Sequence, residues 1–303
     1  MPGKARLYLF ISLLLASGLN PLSAQSGFNA DRAFEDLLTQ CDFGTREPQS
    51  PGARAALGYF QNVLEPLADT LLMQRFTLDD PYSKNKLNLT NVVARFDVHK
   101  TQRVILCAHW DTRPRAERDL HNPEKPMIGA NDGASGVAIL LEIARQLHKN
   151  PVGPGVDIIL FDGEDYGAPQ DLEHYLLGSR YYADNPYPPM AQRVILLDMV
   201  GDADLKIKVD PVSYRAAPRL VEEIWAVAAQ LGYDQFELVA GSPMYDDHVP
   251  FIEKGIQAID IIDFEYPDAD HAYWHTHEDT PDKCSVESLE VVGNTVLSWL
   301  YQQ

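Results

Sequence analysis

The chain has 303 residues, 45% of them hydrophobic, with 44 acidic against 25 basic side chains and a net charge of −19. That length supplies one large globular domain, and the acidic excess argues against nucleic-acid binding, which needs Lys and Arg to neutralise phosphates. No apolar run of about 18 residues or more occurs beyond the N-terminus, so no membrane span is expected. Three cysteines (Cys41, Cys107, Cys284) are too few for a disulfide framework.

The first 24 residues read as a secretory signal peptide. Lys4 and Arg6 form a basic stretch, Leu7 to Leu19 an apolar one, and Leu22-Ser23-Ala24 a cut site with a small last residue. The expected product is exported, periplasmic or secreted, with residues 25–303 as one catalytic domain that begins at Gln25. Further along, apolar runs alternate with helical segments and no repeat or long linker intervenes. This is the pattern of an α/β domain: a central mixed, mostly parallel twisted sheet flanked by helices. It predicts a helix over 53–67, strands over 91–96 and 104–108, and a loop over 112–130. A helix over 134–148 follows, in which Val137, Leu140, Leu141, Ala144 and Leu147 recur at helical spacing. Next come a strand over 157–161, a helix over 170–183, a loop over 185–191 and strands over 194–199 and 206–209. The remainder is a helix over 218–231, a strand over 256–262, a loop over 264–274 and a helix over 286–301.

Polar clusters sit at the ends of those strands. Val-Ile-Leu-Cys-Ala leads into His109-Trp110-Asp111, Ile-Ile-Leu-Phe into Asp162-Gly163-Glu164-Asp165, and Ile-Leu-Leu into Asp198-Met199-Val200-Gly201. In open α/β sheets the ligand crevice lies beyond the carboxyl ends of the strands, so the three clusters are expected to converge. Carboxylates crowded in this way repel one another unless a cation sits among them. Asp132 lies in Gly129-Ala130-Asn131-Asp132-Gly133-Ala134, small residues leading into a helix. It reads either as an N-cap on free backbone N–H groups or, through its flanking glycines, as a place where backbone approaches something bound. Glu164 and Asp165 are neighbours pointing in different directions, so one can ligate a metal while the other acts as a base.

Of the nine histidines, His99, His121, His148 and His174 fall in exposed-looking contexts. His109 stands beside Asp111, a carboxylate suited to orient its imidazole. His275 lies in Tyr273-Trp274-His275-Thr276-His277, where spacing leaves His275 and His277 as rival ligands. Carboxylate and imidazole ligands point to zinc, and with it to metal-assisted attack on a carbonyl, Glu164 serving as general base and acid. The alternative is a structural calcium site on an acidic rim. The histidines count against it, since calcium takes oxygen ligands.

At these residues a resemblance becomes specific. His109-Trp110-Asp111, Asn131-Asp132-Gly133, Asp162-Gly163-Glu164-Asp165, Leu197-Asp198-Met199-Val200-Gly201, Asp246-Asp247-His248-Val249-Pro250-Phe251 and Trp274-His275-Thr276 occur in the order of the zinc aminopeptidase clan. Within it, the set resembles the animal-type glutaminyl cyclases (glutaminyl-peptide cyclotransferases) and their bacterial relatives, from about Phe34 to the C-terminus. The resemblance implies one zinc held by Asp132, Asp165 and His275. It implies Glu164 as proton shuttle, with Asp198 and Asp247 in a hydrogen-bonded carboxylate network beside it. The implied reaction converts the N-terminal Gln of peptides or proteins to pyroglutamate with release of ammonia, and Gln25 of this chain is itself a candidate substrate. Trp274 is expected to wall the pocket for the glutamine side chain, and Trp110 either to do likewise or to pack in the core. Most animal members carry Glu where this chain has Asp165, a shorter ligand arm. The rival within the clan is a two-zinc aminopeptidase hydrolysing N-terminal residues, with His109 and Asp198 on the second metal and Asp132 bridging.

Overall fold

The computed structural model describes residues 27–303; the expected signal peptide and Gln25 lie outside the described residues. Asn29 accepts from the Arg32 amide and opens α1 (Ala30–Asp42). Ser50 caps α2 (Pro51–Leu64), whose leading proline occupies a position where its missing N–H is not needed. A hairpin of β1 (Thr70–Asp79) and β2 (Lys86–Phe96) follows, then β3 (Arg103–His109), α3 (Ala134–Lys149), β4 (Gly155–Phe161), α4 (Leu177–Asp184) and β5 (Arg193–Asp198). The rest comprises β6 (Ile207–Val209), α5 (Pro211–Ala216), α6 (Pro218–Leu231), β7 (Phe236–Ala240), α7 (Val249–Glu253), β8 (Gln257–Ile262) and α8 (Val286–Tyr301).

Six strands pair in the order β1-β2-β4-β3-β5-β8, and β6 and β7 form a separate parallel ribbon. The pairings β4-β3, β3-β5 and β5-β8 are parallel, whereas β1-β2 and β2-β4 are antiparallel. The sheet is therefore mixed and only partly parallel. Its parallel half is the half that carries the polar clusters. Strands β3 and β4 are buried along their whole length, which is why they read as continuous apolar runs. Their residues alternate between two cores, as strand geometry requires. Val104, Leu106 and Ala108 face α1, α2, α3, α6 and α8, while Ile105 and Cys107 face α4 and α7.

Helix α3 lies close on β5: a Cβ on Gly136 would come within 2.2 Å of the Leu197 carbonyl oxygen. This contact sets the start of α3 beside the end of β5, and so brings Asp132 to Asp198. The helix expected over 170–183 is interrupted. Leu172–His174 make one 3-10 turn, and Leu176 adopts a left-handed φ of 59° before α4 begins. The cause is tertiary, because the amides of Leu176 and Leu177 donate to the carbonyls of Glu164 and Gly163 at 2.9 and 3.1 Å. Strands β1 and β7 and helices α1, α5 and α7 were not expected from the sequence pattern; the loops over 112–130, 185–191 and 264–274 were. All three cysteines are buried and free. Among the described residues no helix is long and apolar enough to cross a membrane.

Candidate active site

His109 ends β3, Asp162–Asp165 follow β4, and Asp198 ends β5. With the turn before α3 and the loops on either side of β8, these strand ends surround a cavity of about 360 Å3. Six carboxylates line it (Glu117, Asp132, Glu164, Asp165, Asp198 and Asp246), and no lysine or arginine does among the described residues.

Each side chain is aimed by identifiable contacts. Asp132 does not cap α3. That position belongs to Gly133, at φ 106°, where a Cβ would meet the Asp111 carbonyl oxygen at 2.6 Å. The Asp132 amide and that of Asn131 instead donate to the carboxylate of Asp279, at 3.1 and 2.8 Å, and Tyr266 donates its hydroxyl to the same group. The freed Asp132 carboxylate turns into the cavity. Asp111 accepts from the amides of Glu164 and Asp165 at 3.1 and 3.3 Å and so holds the turn that presents them. It lies 3.7 Å from His109 Nδ1, an ion-pair contact longer than a hydrogen bond.

His275 sits in a left-handed conformation, φ 57°, and Met199 across the cavity in another, φ 47°. Such backbone is costly for non-glycine residues and concentrates at functional sites. Contacts from a distant loop hold His275 there. Glu117 Oε1 lies 2.8 Å from His275 Nδ1, and since an ionised carboxylate only accepts, Nδ1 carries the proton. Burial alone would raise Glu117, but contacts from His275 and Arg113 overcome it and hold the group at about 2. His275 Nε2 is thereby left as an acceptor, 3.7 Å from Asp132 Oδ2 and 3.6 Å from Asp165 Oδ1. Arg113, fully buried, donates to both Glu117 and Asp165, so one guanidinium ties the His275 partner to Asp165. The Trp274 ring lies 3.9 Å from that of His275 and forms a cavity wall, flanked by Phe264 and by the Arg118 guanidinium.

The carboxylates bear the marks of crowding. Glu164 is held well above the usual carboxyl range by burial, then by the charges of Asp246 and Asp165, with His109 opposing. Burial likewise raises Asp198 and Asp246, the latter further by the charge of Asp198. Asp260, fully buried in β8, is raised by burial and by Asp246.

Two groupings bring three ligand atoms within 4.8 Å of one another: Asp132, Asp165 and His275, and His109, Asp132 and Asp198. Their spacings differ. Ligands about 2.0–2.2 Å from a tetrahedral zinc sit roughly 3.3–3.6 Å apart, close to the distances from His275, which are too long for hydrogen bonds. Asp165 Oδ2, moreover, is buried without a hydrogen-bond partner. His109 Nε2 lies 3.1 Å from Asp132 Oδ1 and 3.1 Å from Asp198 Oδ1, the distance at which an N–H donates to a carboxylate. The donor set of the first grouping fits zinc. The second reads as a histidine hydrogen-bonded between two acids.

Of the expected site residues, Glu164, Asp198, Trp274, Asp132, Asp165 and His275 all line the cavity. Two do not. Trp110 is buried against Phe60 with its indole N–H on the Thr90 carbonyl. Because successive residues at a strand end face opposite ways, His109 toward the site puts Trp110 in the core. Asp247 is fully buried outside the cavity lining, and Asp246 takes the lining position instead. His277, the rival ligand, turns away to the Asn122 carbonyl. Sequence reasoning missed Glu117, Arg113, Asp246 and Asp279. The only signal for the first two was the length of the 112–130 loop, since long loops in compact domains tend to shape sites.

Residues 91–300 match peptidase family M28. Among solved structures, a Zn-dependent exopeptidase from Parabacteroides distasonis is 37% identical with a TM-score of 0.87, over 91% of this chain and 99% of that one. The glutaminyl cyclase of Porphyromonas gingivalis is 36% identical with a TM-score of 0.87, over 91% and 99%. A glutaminyl-peptide cyclotransferase of Gloydius blomhoffii is 24% identical, over 82% of this chain and 75% of that protein.

Proposed function

We propose that this chain, which belongs to peptidase family M28, works as a zinc-dependent glutaminyl cyclase, converting N-terminal Gln to pyroglutamate with release of ammonia. The observation that carries the one-metal form of this reading is the contrast in spacing: His275 stands at ligand-edge distances from Asp132 and Asp165, while His109 stands at hydrogen-bond distance from Asp132 and Asp198.

Asp132, Asp165 and His275 would hold the ion, with Glu117 and Arg113 fixing their orientation. Bound zinc supplies Lewis-acid polarisation of the γ-carboxamide carbonyl. Glu164, kept protonatable by its buried acidic surroundings, takes a proton from the substrate α-amine as the amine attacks that carbonyl, and returns one to the departing ammonia. Burial and the charges of Asp246 and Asp165 keep its proton affinity high, and Asp198 lines the same cavity. Trp274 walls the glutamine side chain, and folding amine and carboxamide together in one molecule removes most of the entropic cost of the attack.

The test is one assay on purified protein, offering Gln-Gly amide and Leu-Gly amide, with metal content read from the same sample. Ammonia from the first substrate and about one zinc per chain is the expected result. Free leucine with about two zincs would replace this reading with a two-zinc aminopeptidase and make His109 a ligand.

The reading extends to export and to Gln25. Helix α1 runs antiparallel to α3, Asn29 meeting Glu142 and Gln40 meeting Ala134, and Gly27 lies against Gln146. From Ala134 to Gln146 is about 18 Å of helix, and two residues before Gly27 reach about 7 Å at most. A Gln25 exposed by cleavage after Ala24 is therefore a substrate only for another molecule. Its conversion should slow on dilution, and a dilution-independent rate would contradict this.

A further inference from the structure

The inner part of the cavity is polar, but its rim on one side is apolar and exposed. Leu172 is 54% exposed and Tyr245 41%, and both line the same cavity as Glu164 and His275, with Pro169 and Gln170 beside them. An exposed leucine at a loop tip needs no explanation by itself. This one is held. Arg180, in the first turn of α4, donates through Nη2 both to the Leu172 carbonyl at 3.2 Å and to the Tyr245 hydroxyl, and its guanidinium lies 5.9 Å from the centre of the Tyr245 ring. One side chain thus joins the 169–175 loop to the 241–248 loop and sets two apolar surfaces at the mouth.

Resting on the cyclase reading, we propose that Leu172 and Tyr245 form the subsite for the second residue of the peptide, and that it takes apolar side chains. The reaction places the direction of the chain. The α-amine and the γ-carboxamide must lie at Glu164 and the zinc ligands, on the inner side, so the peptide bond to residue 2 leaves toward the rim. The exposed lining residues there are Pro169, Gln170, Leu172 and Tyr245. Arg180, the cation that touches this rim, is engaged with Leu172 and Tyr245, and six carboxylates line the cavity. An acidic second residue beside Leu172 and Tyr245 therefore meets repulsion from the acidic lining, and an apolar one meets a pre-positioned surface.

The experiment compares Gln-Gly, Gln-Phe and Gln-Glu amides on the wild-type zinc enzyme, Leu172→Ala and Leu172→Lys, following ammonia release. The wild type should favour Gln-Phe over Gln-Gly in kcat/KM, chiefly through KM, and disfavour Gln-Glu. Leu172→Ala should cut the Phe-to-Gly ratio by about tenfold, and Leu172→Lys should move the preference toward Gln-Glu, a change a merely structural role would not produce. A wild-type ratio near one, or the same ratios in all three proteins while Gln-Gly is still turned over, overturns the subsite and leaves the cyclase standing. Absence of ammonia from every Gln peptide overturns both.

Discussion

Glu117 and His275 are joined across 158 residues of sequence by a single 2.8 Å hydrogen bond, and that bond decides which imidazole nitrogen faces the cavity. With Nδ1 engaged, Nε2 alone is left to serve the proposed ion. Arg113, bound to both Glu117 and Asp165, ties the partner of His275 to Asp165 and so keeps the two proposed ligands in step.

Glu117→Ala should weaken zinc binding by about 10–100-fold, read by competition with a chromogenic chelator, with activity recovering in excess zinc. Glu117→Gln, which retains a hydrogen-bond acceptor, should fall between. Equal zinc affinities in all three proteins would show that Glu117 does not set the histidine.

Glu164→Gln keeps the shape of the cavity but removes the proposed proton carrier. The expected outcome is a loss of about 10²–10⁴ in kcat with zinc content and melting temperature unchanged. A variant that loses only KM would assign the residue to binding and remove it from the proton path.

Much of this arrangement was legible in the sequence. Buried parallel strands advertise themselves as apolar runs, and the acids that follow them lie where such sheets put their sites, so Glu164, Asp165 and Asp198 were readable. Strand parity also held information, because His109 facing the cavity requires Trp110 to face Phe60. Asp246 and Asp247 pose a similar choice, but in a loop, where no periodicity says which neighbour turns inward. Glu117 and Arg113 were hidden for a further reason. Their partners lie 158 and 52 residues away, and a contact of that kind leaves no local trace. The same is true of the break at Leu176, imposed by hydrogen bonds that the Leu176 and Leu177 amides donate to the Gly163-Glu164 turn, against a helical propensity that favoured continuity.

Gly136 offers a test of how the site is supported. Gly136→Ala adds a methyl group within 2.2 Å of a β5 carbonyl oxygen, and α3 must shift to admit it. Overpacking of this kind costs about 1–3 kcal/mol, several degrees in melting temperature. Because α3 carries the turn with Asp132, zinc affinity should fall with it. An unchanged Tm would mean that the helix is free to move.

Acid stability should depend on Asp210, outside the cavity. It caps α5 through the amides of Val212 and Ser213, holds the Met244 amide, and lies 3.3 Å from His248 Nε2. Burial alone would raise its carboxyl. The contacts from His248, Ser213 and the backbone amides prevail and hold it at about 2. A group lowered on folding stabilises fully above its unfolded value of about 3.9 and loses that contribution as pH falls through the folded value. The urea midpoint of the wild type should therefore exceed that of Asp210→Asn at pH 6, and the gap should close as pH drops from 4 toward 2. A gap independent of pH would contradict the assignment.

The acidic lining acts on traffic as well as on chemistry. A peptide comes to the cavity with a cationic amino terminus, whereas the lactam nitrogen of its product is not basic. The carboxylates that line the cavity draw the first inward, more strongly at low ionic strength, and exert no such pull on the second. The charge that brings the substrate departs from the peptide with the released ammonia, as ammonium, so turnover itself loosens the enzyme's hold on the peptide and leaves the entrance to the next unreacted terminus.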